Sequence, residues 1–216
     1  MTVWCRCMLF LSLLSTDIKW VRGQFDSNGF INIDCGLPEN DSYVDGPTKL
    51  LYISDSQFID TGANYNISRE YVTASLLRQY LTVRSFNSGT RNCYLLKSLV
   101  PGWKYLIRAT FLYGNYDGLN KSVMFDLHNG VNFWKTVNIS DPVAPVIAEV
   151  ITVAAADYVH ICLVNTGGGT PFISSLDLRP LQNSLYPLAN STQSLSVVKR
   201  INAGPTDATI IRHFQI

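Results

Sequence analysis

Across residues 105–113 the chain alternates strictly: Tyr105, Ile107, Ala109, Phe111 and Tyr113 fall on one side, and Leu106, Arg108, Thr110 and Leu112 on the other. A period of two is that of a β-strand, and the apolar series predicts a strand with one strongly buried face. Residues 122–128 and 131–137 flank Asn129-Gly130, a pair that supplies the positive φ angles of a type I′ turn, so a hairpin is expected with Val123, Phe125 and Leu127 on a shared face. Residues 148–153 and 158–165 are rich in β-branched and aromatic side chains, and the short connection 154–157 predicts a second hairpin. Gly167, Gly168 and Gly169 then break the chain before residues 172–178, where Leu176 and Leu178 point opposite to Asp177, as in a final strand. Upstream, residues 30–34 predict an opening strand ending at Cys35-Gly36, followed by turn chemistry in Leu37-Pro38-Glu39-Asn40.

One stretch breaks this pattern. Between Ser68 and Gln79, Val72, Leu76 and Tyr80 recur at i, i+4 and i+8, the spacing of a short helix. From Asn183 onward the chain becomes polar and Ser-rich, with no further strand pattern before Ile216. Short strands separated by Gly, Asn, Asp and Pro, without repeated helical patterns between them, predict an all-β antiparallel sandwich rather than an α/β fold.

Composition narrows the partners. With 47% hydrophobic, 12% aromatic and 15% charged residues over 216 positions, one globular domain with a packed core is expected. The formal net charge is +1, and Lys and Arg are scattered singly, so no basic stripe is available for nucleic acid. Arg6 followed by the apolar run 8–14, with Val21 and Gly23 placed three and one before Gln24, reads as an export leader over residues 1–23. Five N-x-S/T sequons, at Asn40, Asn66, Asn120, Asn138 and Asn190, point to the same secretory route and to glycans at loops or strand ends. No segment approaches the ~20 consecutive apolar residues that cross a bilayer as a helix.

Beyond the leader, which holds Cys5 and Cys7, three cysteines remain: Cys35, Cys93 and Cys162. They allow at most one internal bridge, and burial as small apolar residues is the alternative for each. Neither a C-x-x-C pair nor ligand spacing among His128, His160 and His213 supports a zinc site. The chain lacks G-x-S-x-G and H-E-x-x-H, and its acidic residues show no paired-carboxylate context for glycoside hydrolysis, so no catalytic residue, cofactor or metal is expected. Asp126 and Asp177 are expected on solvent-facing strand positions, and Asp34 is expected to fix a turn by bonding backbone amides.

Six phrases carry a resemblance: Ile33-Asp34-Cys35-Gly36, Phe58-Ile59-Asp60-Thr61-Gly62, Val83-Arg84-Ser85-Phe86, Arg91-Asn92-Cys93-Tyr94, the run from Tyr105 through Tyr113-Gly114-Asn115-Tyr116-Asp117-Gly118, and Cys162-Leu163-Val164-Asn165-Thr166-Gly167. Together they resemble the malectin-like domain of plant leucine-rich-repeat receptor-like kinases over roughly residues 29–181. The resemblance implies a jelly-roll-like β-sandwich related to malectin, a lectin of the endoplasmic reticulum that holds a glucose disaccharide between aromatic rings and an acidic side chain. It also implies that full-length relatives are single-pass plasma-membrane proteins with a second sandwich, leucine-rich repeats and a kinase. The expected organisation is therefore a leader at 1–23, a malectin-like sandwich at 24–181, and a polar tail or the incomplete start of a second sandwich at 182–216.

The ligand candidates follow from that likeness and from the loop after the clearest strand. Tyr113, Asn115, Tyr116 and Asp117 combine aromatic faces with polar groups, as a sugar ring requires, while a turn whose tyrosines close the core edge is the structural alternative. Tyr116 corresponds to one of malectin's stacking aromatics and Phe86 to another, whereas Gly169-Thr170 stands where malectin's acidic residue is expected. The glycine run 167–169 reads as a hairpin loop rather than an anion nest, since no phosphate-loop Lys accompanies it. Two functions remain open: an extracellular module binding carbohydrate or cell-wall glycan, and a module binding signalling peptides or receptor ectodomains. A concave aromatic groove would favour the first, and an exposed apolar patch the second.

Overall fold

The structure is a computed structural model and describes residues 29–198. The expected leader, with Cys5 and Cys7, and residues 199–216 lie outside the described residues. Fourteen strands follow in order: β1 (Ile31–Asp34), β2 (Ser42–Val44), β3 (Leu51–Ser54), β4 (Ala63–Asn66), β5 (Thr82–Ser85), β6 (Arg91–Lys97), β7 (Lys104–Phe111), β8 (Val123–Asn129), β9 (Asn132–Ile139), β10 (Val146–Val153), β11 (Tyr158–Gly168), β12 (Phe172–Ile173), β13 (Ser175–Leu181) and β14 (Leu195–Val197). They form a seven-stranded sheet in the order β14-β10-β7-β13-β1-β3-β2, a four-stranded sheet β6-β11-β8-β9, and a three-stranded sheet β12-β5-β4. Pairing is antiparallel except between β1 and β3. The jelly-roll-like all-β sandwich expected from the sequence is the observed architecture.

One core joins the sheets. Ile33, Ile107, Ala109, Phe111, Val150 and Leu176 of the large sheet pack against Tyr94, Leu96, Phe125, Leu127, Ile161 and Leu163 of the four-stranded sheet. Phe172 sits among Phe111, Phe125 and Tyr116, with ring centroids 6.4, 6.1 and 5.0 Å away. Each such buried ring contributes roughly 1.5–3 kcal/mol by leaving water. Gly36 is forced by close approach: it takes φ of +91°, and a Cβ there would lie 2.4 Å from the carbonyl oxygen of Val83.

Several expectations are corrected. β7 is buried on both faces, because β10 and β13 flank it and residues 181–197 cover its outer side, where Leu106, Ile151 and Ala189 form a second cluster. The alternation thus marked which residues face the main core, without exposing the others. β8 and β9 form the expected hairpin, but Asn129 pairs with Asn132 and belongs to the strand. Of the Asn-Gly pair Gly130 alone has positive φ, +59°, as in a turn with glycine at its first central position.

No second hairpin forms. β10 lies in the seven-stranded sheet and β11 in the four-stranded sheet, so residues 154–157 cross between layers. The segment 98–103 makes the same crossing from β6 to β7, and the two connections satisfy each other's backbone: Leu99 N–H donates to Asp157 O, Gly102 N–H to Ala154 O, and Ala154 N–H to Trp103 O. The expected final strand divides at Ser174, whose neighbours β12 and β13 lie in different sheets. Of the glycine run, Gly167 and Gly168 end β11, and residues 169–171 lead to β12 in a different sheet instead of closing a hairpin.

Residues 69–80 form two short 3-10 turns, Arg69–Tyr71 and Arg78–Tyr80, in place of a helix. Val72 is exposed and Tyr80 buried, so the i, i+4, i+8 series shares no face, and the segment is pinned by Ser68 N–H donating to Gly114 O and by Arg78 lying 3.8 Å over the Tyr43 ring. The stretch after Asn183 is not detached. Lys104 Nζ donates to the carbonyls of Asn183, Leu185 and Tyr186, and β14 pairs with β10, so the sandwich continues past residue 181 to at least Val197.

Candidate functional site

Tyr113 to Asp117 follow β7 at one end of the sandwich. Gly114, at φ +46°, packs so closely that a Cβ would meet Ile67 at 2.6 Å. The rings are not offered to solvent: Tyr113 is 2% exposed, Tyr116 9% and Phe86 1%. Tyr113 meets Tyr116 edge-on at 5.6 Å, Tyr116 leans on Tyr65 at 5.5 Å, and Phe86 meets Tyr94 edge-on at 6.2 Å. Tyr113 continues the inward register of Tyr105 to Phe111, which is why it enters the core. The expectation of open stacking faces at these three residues is corrected on that ground.

The polar groups of the loop are also engaged. Asp117 accepts from the Tyr113 hydroxyl and from Leu119 N–H, Asn115 Oδ1 accepts from Asn120 N–H at 2.8 Å, and the Tyr116 hydroxyl shares a hydrogen bond with Ser85 Oγ at 2.9 Å. Burial pushes the Tyr116 hydroxyl up in pKa. Thr170 is half-buried in the neighbouring loop. Between this loop and residues 139–142 lies a cavity of about 50 Å³, room for one or two waters and far below the roughly 300–1,000 Å³ of ligand pockets.

Under this end sits a buried polar node built from three of the six sequence phrases and the neighbouring Asp55. Arg84 forks onto Asp55 with Nε and Nη2 at 2.5 and 2.7 Å, Tyr94 donates to the same carboxylate at 2.9 Å, and Asp55 is fully buried. Asp34 does not cap a turn through backbone amides; it is buried and accepts from the hydroxyls of Tyr43 and Thr82 at 2.8 and 2.9 Å. Asp177 is likewise buried, beside Arg179 at 3.5 Å, while Asp126 is half-buried and accepts from Thr136. Cys93 and Cys162 are bridged across β6 and β11, and Cys35 remains a free thiol in the core, its pKa raised by burial. Among the described residues no group of three His, Cys, Asp or Glu side chains comes together to hold a metal.

Burial pushes the Asp34 carboxyl up from 3.8 to about 7, against the lowering effect of its two hydroxyl donors. The folded chain therefore keeps a proton that the unfolded chain releases between about pH 4 and 7, and stability falls as pH rises through that window. Asp177, also raised by burial, acts in the same direction. Denaturation midpoints should be higher at pH 5 than at pH 7.5, and Asp34→Asn should flatten the difference. A slope unchanged in that variant would exclude Asp34 as its source.

Sequence reasoning missed the larger concavity, at the opposite end. A hollow of about 400 Å³ is lined by Leu95, Lys97, Ser98, Asp157, Tyr158 and His160. The available signal was the alternation of Tyr158, His160, Cys162 and Val164 with inward Val159, Ile161 and Leu163.

Comparison with known proteins agrees with this architecture. The family model described as the malectin-like domain matches residues 33–215. A putative leucine-rich repeat receptor-like protein kinase of Arabidopsis thaliana is 41% identical over 207 residues, covering 95% of this chain and 23% of the relative. The probable LRR receptor-like serine/threonine-protein kinase MEE39 of the same plant is 42% identical over 185 residues, covering 83% and 21%. The chain thus spans about a fifth of the length of these curated relatives. Among solved structures, the ANX2 ectodomain of Arabidopsis thaliana superposes with a TM-score of 0.60 at 20% identity over 71% of this chain and 42% of that one. A crystal structure of the plant peptide RALF23 in complex with FER and LLG2 gives a TM-score of 0.57 at 13% identity over 79% and 47%. The fold and the match across residues 33–215 lead to one assignment: this chain belongs to the malectin-like domain family.

Proposed function

We propose that this domain is an extracellular, non-catalytic recognition module of receptor-like-kinase type whose ligand is a polypeptide rather than a sugar. The observation that carries the reading is the burial of Tyr113, Tyr116 and Phe86, which leaves the loop expected to stack on a sugar with no free aromatic face. The fold neighbour solved with the peptide RALF23 and LLG2 adds support by analogy. The Cys93–Cys162 bridge suits an oxidising, secretory compartment, and all five sequon asparagines are exposed, so each could carry a glycan. A glycan array and a phage-displayed library of random dodecapeptides, both offered to the purified secreted domain, test it. Enrichment of peptides without saturable oligosaccharide binding is expected; saturable oligosaccharide binding with no peptide enriched overturns the reading.

A further inference from the structure

The registers of β6, β11 and β8 set Cys93, Cys162 and His128 in one row, side by side on neighbouring strands of the four-stranded sheet. Tyr94, Ile161 and Leu127, their neighbours along each strand, belong to the core, so by the two-residue period these three face away from it. The disulfide therefore lies on the outer side of the sheet. Its two halves are unequally covered: Cys93 is half-buried, whereas Cys162 is 1% exposed.

Two polar side chains attend the bridge. Arg91 pairs with Val164 in the row on one side of the cysteines, and its Nη2 donates to the carbonyl of Gly130, whose N–H donates to His160 O in the row on the other side. Its arm thus passes across the cysteine row and brings a guanidinium over the sheet beside the sulfurs. His128 stands beyond Cys162, its ring edge-on to that of exposed Phe133 at 5.9 Å. A cation and an imidazole beside a sulfur favour its thiolate form.

Thiol–disulfide exchange needs a thiolate to arrive in line with the S–S bond, opposite the departing sulfur. β6 is the outermost strand of its sheet, so on the Cys93 side that line runs out over the sheet edge. On the Cys162 side it runs into β8 at His128. Attack is thereby directed to Cys93, and Cys162 leaves beside the groups that hold its charge. The backbone ladder between Arg91–Lys97 and Tyr158–Val164 does not depend on the bridge, so the strands stay paired when it opens.

We propose that the Cys93–Cys162 bridge is a thiol–disulfide exchange site, opened at Cys93 by a small anionic thiol of the glutathione type while the sandwich stays folded. The proposal holds whichever ligand the domain takes. The entering thiolate sulfur bonds to Cys93 Sγ as the bond to Cys162 breaks, and the bonding pair leaves on Cys162 Sγ, which then takes a proton from solvent. A second thiol attacks the mixed disulfide at the sulfur it carried in and frees Cys93, so two thiols are oxidised to one disulfide for each bridge reduced.

The test follows bridge opening in the folded chain, with glutathione and separately with the cationic thiol cysteamine, by acid quench, alkylation of free thiols and peptide mass mapping. The glutathione adduct should appear on Cys93, at a rate proportional to glutathione concentration and faster than unfolding extrapolated to zero urea. Arg91→Gln should slow glutathione several-fold and cysteamine less, each relative to the unaltered chain, and His128→Gln should slow both; melting curves establish that the variants remain folded. An adduct on Cys162, or opening that saturates at the unfolding rate, overturns the site. Rates unchanged in both variants, or equal losses for the two thiols in Arg91→Gln, overturn it as a site built for an anionic thiol.

Discussion

Arg84→Ala is expected to cost about 3–5 kcal/mol of folding stability, enough to leave little folded protein in a domain of ordinary marginal stability. The guanidinium supplies two of the three side-chain hydrogen bonds to Asp55 and reaches Thr61 O with its remaining arm at 3.1 Å. Removing it strands a carboxylate that is fully buried in the core, with only the Tyr94 hydroxyl left to it. The loss measures the stranded charge and not the net worth of the pair. Arg84→Ala combined with Asp55→Ala should therefore lose clearly less than the sum of the single variants. Urea denaturation of the two singles and the double decides it, and additive losses would mean that the two side chains are energetically independent.

Breaking the bridge by Cys93→Ala with Cys162→Ala should cost about 4 kcal/mol, the loop-closure entropy that a cross-link spanning 69 residues removes from the unfolded chain. The two cysteines face each other in register on β6 and β11, so the bridge reinforces pairing that the ladder already makes. Cys35 offers no substitute partner. It lies in the core after β1, and burial keeps it a protonated, unreactive thiol. Reduction of the unaltered protein should move its denaturation midpoint to that of the double variant, and a shift below about 1 kcal/mol in either would show that the unfolded chain gains little freedom from cleavage.

How far the fold could be read in advance depended on whether a feature was local. The alternation from Tyr105 to Phe111, the pairing of β8 with β9 as a hairpin, and the opening strand at Ile31–Asp34 are encoded within a few residues and appear as expected, although the turn between β8 and β9 falls one residue later than the Asn-Gly pair. The choice between a hairpin and a crossing at residues 154–157 is made by Leu99 and Trp103, some fifty residues earlier, and no local pattern records it. β14 was equally unreadable: three residues suffice because β10 already presents an edge. At the candidate loop the error was one of context. Tyr113 obeys the inward register that the sequence displays, and treating it as a ligand contact required it to leave that register at the end of the strand. Asp34 was given backbone partners because its actual donors, the Tyr43 and Thr82 hydroxyls, come from elements far along the chain. Asp177 was placed facing solvent because the covering of its strand by other elements leaves no local pattern, although Arg179 beside it lies on the same strand.

The placement of β1 and β14 has a mechanical corollary. Gly29 leaves β1 beside Pro180 at the Trp103 end, whereas β14, antiparallel to β10, points toward the other end. Tension applied between residues 29 and 198 would thus run along the strand axes and load the ladders in shear. β1 is clamped between β13 and β3, but β14 holds the edge of the sheet by three residue pairs. Slippage would begin at β14, uncovering Leu106 and Ile151 while the remaining strands stayed joined, so a pull on the chain would expose a patch of fresh apolar surface before it unfolded the sandwich.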